Sequence, residues 1–274
     1  MSKTGLFIAI QILFLCFGTR AESKQLQLAN RVLHSVSQKY APDKRTSIFN
    51  MEVTDLSGQM ILKGRTNFTE ARKMILDSLS ILNISFVDST IVLPESKLGE
   101  KTWGIVKLSV ANMRSVPAHS GELASQILMG TPVRIWDSKG DWLQVQTPDQ
   151  YIGWVDEGAI IRKNEHEMTV WKKANRYIFN KINGFALDSP NKNAAHVSDL
   201  VLCDLFEVLS EVKGFFQVRF PDGRLAFVKK NECPSYADWT RQSLNIQSVL
   251  TVARQMLGVP YFWGGTSSKA TDCS

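Results

Sequence analysis

The chain has 274 residues, of which 44% are hydrophobic and 21% are charged. This length suggests about two domains, and this composition excludes a chain that is disordered throughout. The formal net charge of +6 is modest, and no run rich in lysine and arginine accompanies it. Composition therefore gives no reason to expect a nucleic-acid partner.

The first 21 residues have the pattern of a secretory signal peptide. Lys3 precedes an apolar run over 6–17, which is too short to span a membrane, and cleavage is expected after Ala21. Cys16 raises the alternative of a lipoprotein signal, although the residue before it is bulky. We expect an exported protein of the periplasm or cell envelope, with no integral membrane segment after cleavage. Removal of Lys3 and Arg20 lowers the charge from +6 to +4.

Residues 25–98 predict a small α+β domain. Helical spacing predicts a helix over 25–40, and strands are expected over 47–53 and 59–62. A second helix follows, with Thr66 or Asn67 as its N-cap and Glu70 in support. A strand over 84–92 ends the unit. This β-β-α-β order resembles the BON-type modules of bacterial envelope proteins, and no residue in it suggests catalysis, so packing or envelope contact is the expected role.

From residue 103 the sequence changes to short strands separated by Gly, Pro, Asn and Asp. Trp142-Leu-Gln-Val145 recurs as Phe215-Phe-Gln-Val218, which is 73 residues later. The repeat predicts two β modules, over 103–163 and 175–234, each a half-open barrel of about five strands. The first copy, with Gly130-Thr-Pro-Val133 and Tyr151-Ile-Gly-Trp154, resembles bacterial SH3-like domains, and the second copy follows this pattern more loosely.

Three cysteines follow the leader, and an odd number in an exported protein indicates a free thiol. Cys203 and Cys233 could form a disulfide within the second module while Cys273 stays reactive. Two buried, unpaired cysteines are an equal alternative. No His, Cys and carboxylate cluster has metal-ligand spacing, so no metal or other cofactor is expected.

The end of the chain carries the motif on which the functional prediction depends. Apolar residues over 246–257 predict an amphipathic helix, which Gly258 and Pro260 stop. The sequence Pro260-Tyr-Phe-Trp-Gly-Gly, followed by Asp272-Cys-Ser, resembles the active-site entry of the NlpC family of cell-wall cysteine peptidases. Over 243–274 this resemblance implies the start of a papain-like α+β peptidase domain. It also implies that Cys273 is the nucleophile, activated at a helix N-terminus, which attacks a peptide carbonyl to give a thioester.

Two departures from the family pattern stand out. Ala270 occupies a position where the family usually has glycine, and it would be strained if that position needs a positive φ. The family's general-base histidine lies C-terminal to the cysteine, whereas His34, His119, His166 and His196 all precede the motif. We therefore expect a C-terminally truncated fragment that is inactive in this form.

The domain order resembles the γ-D-glutamyl-L-diamino-acid endopeptidases, which are dipeptidyl-peptidase VI-like enzymes. That resemblance implies cleavage of the γ-D-glutamyl to diamino-acid bond in peptidoglycan-derived peptides with a free N-terminal L-Ala. It implies that Asp272 binds the ammonium group, that Ser274 holds the substrate and that Tyr261 helps to stabilise the oxyanion. Glu122 and Tyr151 would contact the same ammonium from the first SH3-like domain.

A purely structural role is an alternative for several of these residues. Tyr261 and Tyr151 could be core tyrosines, and Glu122 could be a solvated loop residue. Trp263 and Trp239 are expected to pack. Two alternative functions also remain: a non-catalytic wall-binding protein that acts through its SH3-like domains, and a peptidase or amidase acting on cross-linked wall.

Overall fold

The computed structural model describes residues 24–243 and 245–273. The predicted signal peptide, Cys16 and Ser274 lie outside these residues. The described chain is mostly β, with a few short helices. Within it no helix is long and apolar enough to span a membrane.

The N-terminal unit packs two helices on one side of a three-stranded sheet. Strand β1 pairs antiparallel with β2, and β3 pairs parallel with β2. The core between sheet and helices includes the fully buried Leu62, Ile75 and Leu79. Its elements are α1 (Lys24–Tyr40), β1 (Phe49–Leu56), β2 (Gln59–Thr66), α2 (Thr69–Ile81) and β3 (Phe86–Val92).

The predicted N-cap of α2 is wrong. The helix begins after Phe68, which makes no side-chain capping bond. The side chain of Asn67 instead accepts a hydrogen bond from the N–H of Ile48 at 3.0 Å, and that of Thr66 accepts from the N–H of Phe68 at 3.1 Å. Both polar side chains bond to backbone N–H groups at the junction of β1, β2 and the helix. Neither therefore caps the N–H groups of the first helical turn.

Apart from β10, which has no counterpart in the second module, the strands of the two β modules have the same order at a constant offset. The first sheet has the order β10-β4-β7-β8-β9-β5-β6 and the second β11-β14-β15-β16-β12-β13, so they have seven and six strands rather than about five. The first has β4 (Trp103–Val106), β5 (Val110–Arg114), β6 (Leu123–Leu128), β7 (Pro132–Lys139), β8 (Trp142–Gln146), β9 (Ile152–Asp156) and β10 (Ile160–Lys163). The second has β11 (Arg176–Ile178), β12 (Asn183–Leu187), β13 (His196–Val201), β14 (Leu205–Val212), β15 (Phe215–Arg219) and β16 (Leu225–Lys229).

Even the irregularities of the two sheets repeat. The β7–β8 pair shifts register between Ile135 and Asp137, and the β14–β15 pair shifts between Val208 and Ser210. Both pairs of residues differ by 73 (208 − 135 and 210 − 137). Because bulges are specific features of a strand pair, the repeat found in the sequence describes a repeat of the whole backbone.

A linker helix and a backbone hydrogen bond join the two barrels. Helix α3 (Glu165–Lys173) is closed at its N-terminus by a capping box of Asn164 and Glu167. Its Trp171 indole donates to the carbonyl of Gly130 at 3.2 Å, and the N–H of Leu205 donates to the carbonyl of Met129 at 3.0 Å. Trp239 packs on the same junction, as predicted for an aromatic residue in the linker. These contacts pack the two barrels against each other and against the linker helix.

A buried carboxylate joins the N-terminal unit to the first barrel. Asp137 is 3% exposed and accepts from Arg65 at 2.6 Å, and Lys97 lies at 2.9 Å from its other oxygen. Burial alone would raise the pKa of Asp137, but its contacts with the positive groups of Lys97 and Arg65 lower it to about 2. The ionised form therefore holds this interface together.

Acid should weaken this interface. The pKa of Asp137 is below its ordinary 3.8 in the folded chain, so the unfolded chain binds more protons between about pH 4 and pH 2. We expect Asp137 to contribute about 2 kcal/mol above pH 4, and this contribution to disappear as the pH falls to about 2. Urea unfolding at several pH values measures it. Asp137→Asn should unfold more easily at pH 7 and should show a shallower loss in acid; an equally steep loss would contradict the assignment.

Candidate active site

The C-terminal segment contains two short helices and a small β hairpin, and the hairpin, which ends just before Cys273, packs on the first barrel. The segment comprises α4 (Tyr236–Thr240), α5 (Ile246–Gln255), β17 (Thr266–Ser267) and β18 (Ala270–Thr271). The turn before the hairpin is held by the Gly265 N–H, which donates to the carbonyl of Phe262 at 2.8 Å. The N–H of Asp272 donates back to the carbonyl of Gly265 at 2.9 Å, which fixes the residue next to Cys273.

Cys273, Tyr261 and Asp272 lie together in this segment. Cys273 is exposed, and its thiol lies near the phenol of Tyr261, close enough to raise the pKa of that phenol. Partial desolvation and the neighbouring charges of Cys273 and Asp272 raise the pKa of the Tyr261 phenol, which therefore stays protonated at neutral pH. Tyr261 is 63% exposed, so it is not a core tyrosine. The Asp272 carboxylate accepts from the N–H of Gly264 at 3.2 Å.

Glu122 is brought to this site, whereas Tyr151 contacts a different part of the chain. The carboxylate of Glu122 accepts from the indole N–H of Trp263 at 3.0 Å. Trp263 is 60% exposed and so does not have the packing role expected of it. The Tyr151 hydroxyl lies 3.4 Å from the guanidinium of Arg45, and its ring packs on the core of the first barrel.

Two further residues position the hairpin, and sequence reasoning missed them. Gln126 on β6 accepts from the N–H of Thr266 at 3.1 Å and from the hydroxyl of Ser267 at 2.9 Å. Asp199 on β13 forms an ion pair with Lys269. Gln126 and Asp199 are equivalent positions of the repeat (199 − 126 = 73), so the hairpin binds the same strand of both barrels. The 73-residue repeat in the sequence was the signal from which the equivalence of Gln126 and Asp199 could have been found.

Ala270 is not strained in its strand. Among the described residues with positive φ, five are not glycine, and Ala270 is not one of them. It lies in β18, where its backbone pairs with Ser267. The concern that alanine replaces a required glycine here is therefore removed.

The described cysteines differ in environment, and none forms a disulfide. Cys203 and Cys233 are unpaired, so a bridge between them is excluded. Burial raises the pKa of both thiols, and neighbouring carboxylates add to the effect. Cys203 packs at the junction of the barrels and Cys233 in the core of the second barrel. Only Cys273 is exposed among these three residues.

No described histidine is hydrogen-bonded to Cys273. His119 packs against Trp142 in the first barrel, and His196 stacks on Phe185 in the second. His34 lies on α1 and His166 on α3. In the described ranges, no three His, Cys, Asp or Glu side chains cluster as metal ligands would.

The apolar side of α5 has no cover in the described structure. Not one residue of this helix is buried. Ile246 is 73% exposed, and Val249 and Leu250 are also exposed. The predicted helix is thus present, but nothing in the described residues packs against its hydrophobic face.

The repeat, the hairpin and the cysteine motif together resemble a class of proteins in which bacterial SH3-type modules precede an NlpC-type peptidase motif. Residues 113–160 match the family described as the bacterial dipeptidyl-peptidase Sh3 domain. The chain is 21% identical to an NlpC/P60 family protein of known structure from Bacillus cereus ATCC 10987, with a TM-score of 0.52, over 62% of this chain and 68% of that one. This likeness establishes a common fold.

Curated relatives specify the resemblance further. The chain is 26% identical to a gamma-D-glutamyl-L-lysine dipeptidyl-peptidase of Bacillus cereus over 57% of its length, and 27% identical to dipeptidyl-peptidase 6 of Lysinibacillus sphaericus over 62%. It spans 49% and 65% of these two relatives. The resemblance to NlpC-type peptidases with SH3-like domains, drawn from the motifs, is thus confirmed.

The docking of the hairpin can be tested at a glycine. A Cβ on Gly264 would lie 2.6 Å from the carbonyl oxygen of Leu123, whereas a Cβ on Gly258 would meet nothing within 4 Å. Both residues have positive φ, so Gly258→Ala controls for backbone strain. We expect Gly264→Ala to speed proteolysis within residues 258–273 at least about tenfold, and Gly258→Ala to change it less than about twofold. Equal rates in both variants would show that the hairpin does not dock through Gly264.

Proposed function

We propose that this chain is part of an exported cysteine peptidase that cleaves the γ-D-glutamyl to diamino-acid bond of peptidoglycan-derived peptides with a free N-terminal L-Ala. The observation that carries the proposal is the exposed thiol of Cys273 beside the Tyr261 phenol and Asp272, on a hairpin docked against the first barrel. The names of the curated relatives support the substrate class.

The chemistry follows from the three side chains. The Cys273 thiolate attacks the scissile carbonyl carbon, and the carbonyl oxygen takes the negative charge. Tyr261 donates its phenolic hydrogen to that oxygen, because the phenol keeps its proton at neutral pH. Collapse of the intermediate expels the diamino-acid amine, which takes a proton, and leaves a thioester. Water then cleaves the thioester and restores the thiol.

The general base of this proposal is a histidine C-terminal to residue 274. Two observations support it. No described histidine is hydrogen-bonded to Cys273, and the apolar face of α5 needs a partner to bury it. A domain completed by further residues would supply both the imidazole and that cover. Without them the 274-residue chain is expected to be inactive.

Charge is the proposed basis of substrate selection. Asp272 and Glu122 provide two carboxylates on the hairpin side of the first barrel, and Ser274 is proposed to add a hydroxyl. A free substrate ammonium would compensate them. A peptide without that positive charge would leave buried carboxylate uncompensated in the complex, which costs several kcal/mol.

The test compares two peptides on the complete enzyme. L-Ala-γ-D-Glu-diaminopimelate should be cut at least about a hundredfold faster, in kcat/KM, than its N-acetyl derivative, because acetylation removes only the ammonium charge. Equal rates would overturn the proposed selectivity. Preferential release from intact sacculi would indicate an enzyme of cross-linked wall. Binding to sacculi without hydrolysis of either peptide would indicate a wall-binding protein.

A further inference from the structure

A pocket on the first barrel, away from the candidate active site, is lined by no residue of the hairpin. It has a volume of about 450 Å³. The guanidinium of Arg134, on β7, lies 4.9 Å from the ring centre of Trp103 and 5.4 Å from that of Trp136. Pro132 and Pro148 add apolar walls. A cation is thus held between two indole rings at the wall of a cavity.

The charge of Arg134 has no carboxylate partner among the described residues. The guanidinium donates to the hydroxyl of Thr102 at 2.8 Å and takes part in no ion pair of the described chain. Burial lowers its pKa, and the more distant Glu165 acts in the opposite direction. The Glu165 carboxylate itself accepts from the indole of Trp103 at 2.5 Å. Lys172 brings a second positive charge to the pocket, 5.1 Å from the Trp103 ring centre.

At the equivalent position of the second barrel, a carboxylate neutralises the charge of the arginine. On β7 and β8, Arg134 lies opposite Gln146, and at the equivalent positions of β14 and β15, Glu207 lies opposite Arg219. Arg219 donates two hydrogen bonds to Glu207, at 2.9 and 2.8 Å. The same cross-strand site therefore holds a closed ion pair in one copy. In the other it holds a guanidinium opposite a neutral amide.

The amide of Gln146 is itself fully engaged. Its oxygen accepts from the indole of Trp136 at 3.2 Å, and its nitrogen donates to the carbonyl of Thr46 at 3.1 Å. It cannot stand in for an anion at Arg134. A partly buried guanidinium with free N–H groups, flanked by aromatic rings, is suited to a planar carboxylate on an apolar body.

We propose that this pocket binds a small organic carboxylate through Arg134. The two indole rings hold the guanidinium in place and contact the body of the ligand, and Lys172 adds to the positive field. Two sources share this chemistry: an acidic sugar and the C-terminal carboxylate of a peptide. The inference does not depend on the peptidase activity.

Matched ligand pairs separate these sources. Titrations would use N-acetylmuramate against N-acetylglucosamine, and N-acetyl-leucine against its amide, with the indole N–H signals of Trp103 and Trp136 followed by NMR. We expect one acid to shift both signals saturably and its neutral analogue to bind at least about tenfold more weakly. Which acid binds identifies the source. If neither acid binds, or if a neutral analogue or inorganic phosphate binds equally well, the proposal is wrong.

Three variants test the role of Arg134 without relying on one mutant. Arg134→Gln should weaken binding at least about tenfold, and Arg219→Gln, its matched control in the second barrel, should leave it unchanged within about twofold. Gln146→Glu keeps the guanidinium but places a carboxylate opposite it, and it should also abolish binding. Far-UV circular dichroism checks folding. Undiminished binding by Gln146→Glu, or equal losses in the two arginine variants, would overturn the assignment.

Discussion

Replacing Cys273 with alanine is expected to remove the fast-reacting thiol of this chain and, in the complete enzyme, to reduce kcat by at least about a thousandfold. Cys273 is exposed, whereas burial raises the pKa of Cys203 and Cys233 and so lowers their thiolate fraction. With iodoacetamide at pH 8, we expect Cys273 to react at least about a hundredfold faster than either of the other two. Mass spectrometry of the digested chain measures each site separately.

Cys203→Ala is the matched control for this prediction. It removes a thiol of similar size that the proposed mechanism does not use, so kcat should stay within about threefold of wild type in the complete enzyme. Cys203 packs in the cluster at the barrel junction, so its truncation should cost some stability, and activity should be assayed well below the unfolding temperature. Slow labelling of Cys273, or retained hydrolysis in Cys273→Ala, would exclude it as the nucleophile.

Gly130→Ala is expected to cause the largest loss of stability at the barrel junction. A Cβ on Gly130 would lie 2.3 Å from the carbonyl oxygen of Leu205, which cannot move independently because it belongs to the second barrel. The positive φ of Gly130, +80°, adds strain for any other residue. Together we expect a loss of about 3 kcal/mol and a fall in melting temperature of roughly 6–12 °C.

Gly140→Ala separates the cost of backbone strain from the cost of the close contact between the barrels. Gly140 also has positive φ, but a Cβ there would meet nothing within 4 Å. This variant should lose only about 1 kcal/mol, which is the backbone contribution alone. The difference between the two variants measures the close approach of the barrels. If the two glycines proved equally sensitive, the barrels would not be in contact at Gly130 in solution.

Local patterns in the sequence predicted most of the regular structure. The helix expected over 25–40 corresponds to α1, and the repeat found from Trp142 and Phe215 extends to whole sheets. These features depend on residues close in sequence, or on a comparison of the chain with itself. Apolar periodicity and β-turn residues record such information directly.

Long-range pairing could not be predicted in this way. The cap of α2 was wrong because Asn67 bonds to Ile48, which belongs to another element. The contacts of Thr266 with Gln126 join residues 140 positions apart, and no local signal marks either residue. Likewise, Glu122 could be tied to the site by resemblance, but its bond to Trp263 depends on how the hairpin docks.

The equivalent docking of the hairpin on Gln126 and Asp199 also bears on the history of the chain. Two barrels with the same strand order and bulges at an offset of 73 residues are the expected product of a gene duplication. Duplication supplies two identical docking strands, and a later change at one position makes them differ. An amide in one copy and a carboxylate in the other allow a single short hairpin to recognise both ends in a fixed order. The neutral docking residue on one barrel and the charged one on the other thus define the direction in which the hairpin lies across the pair.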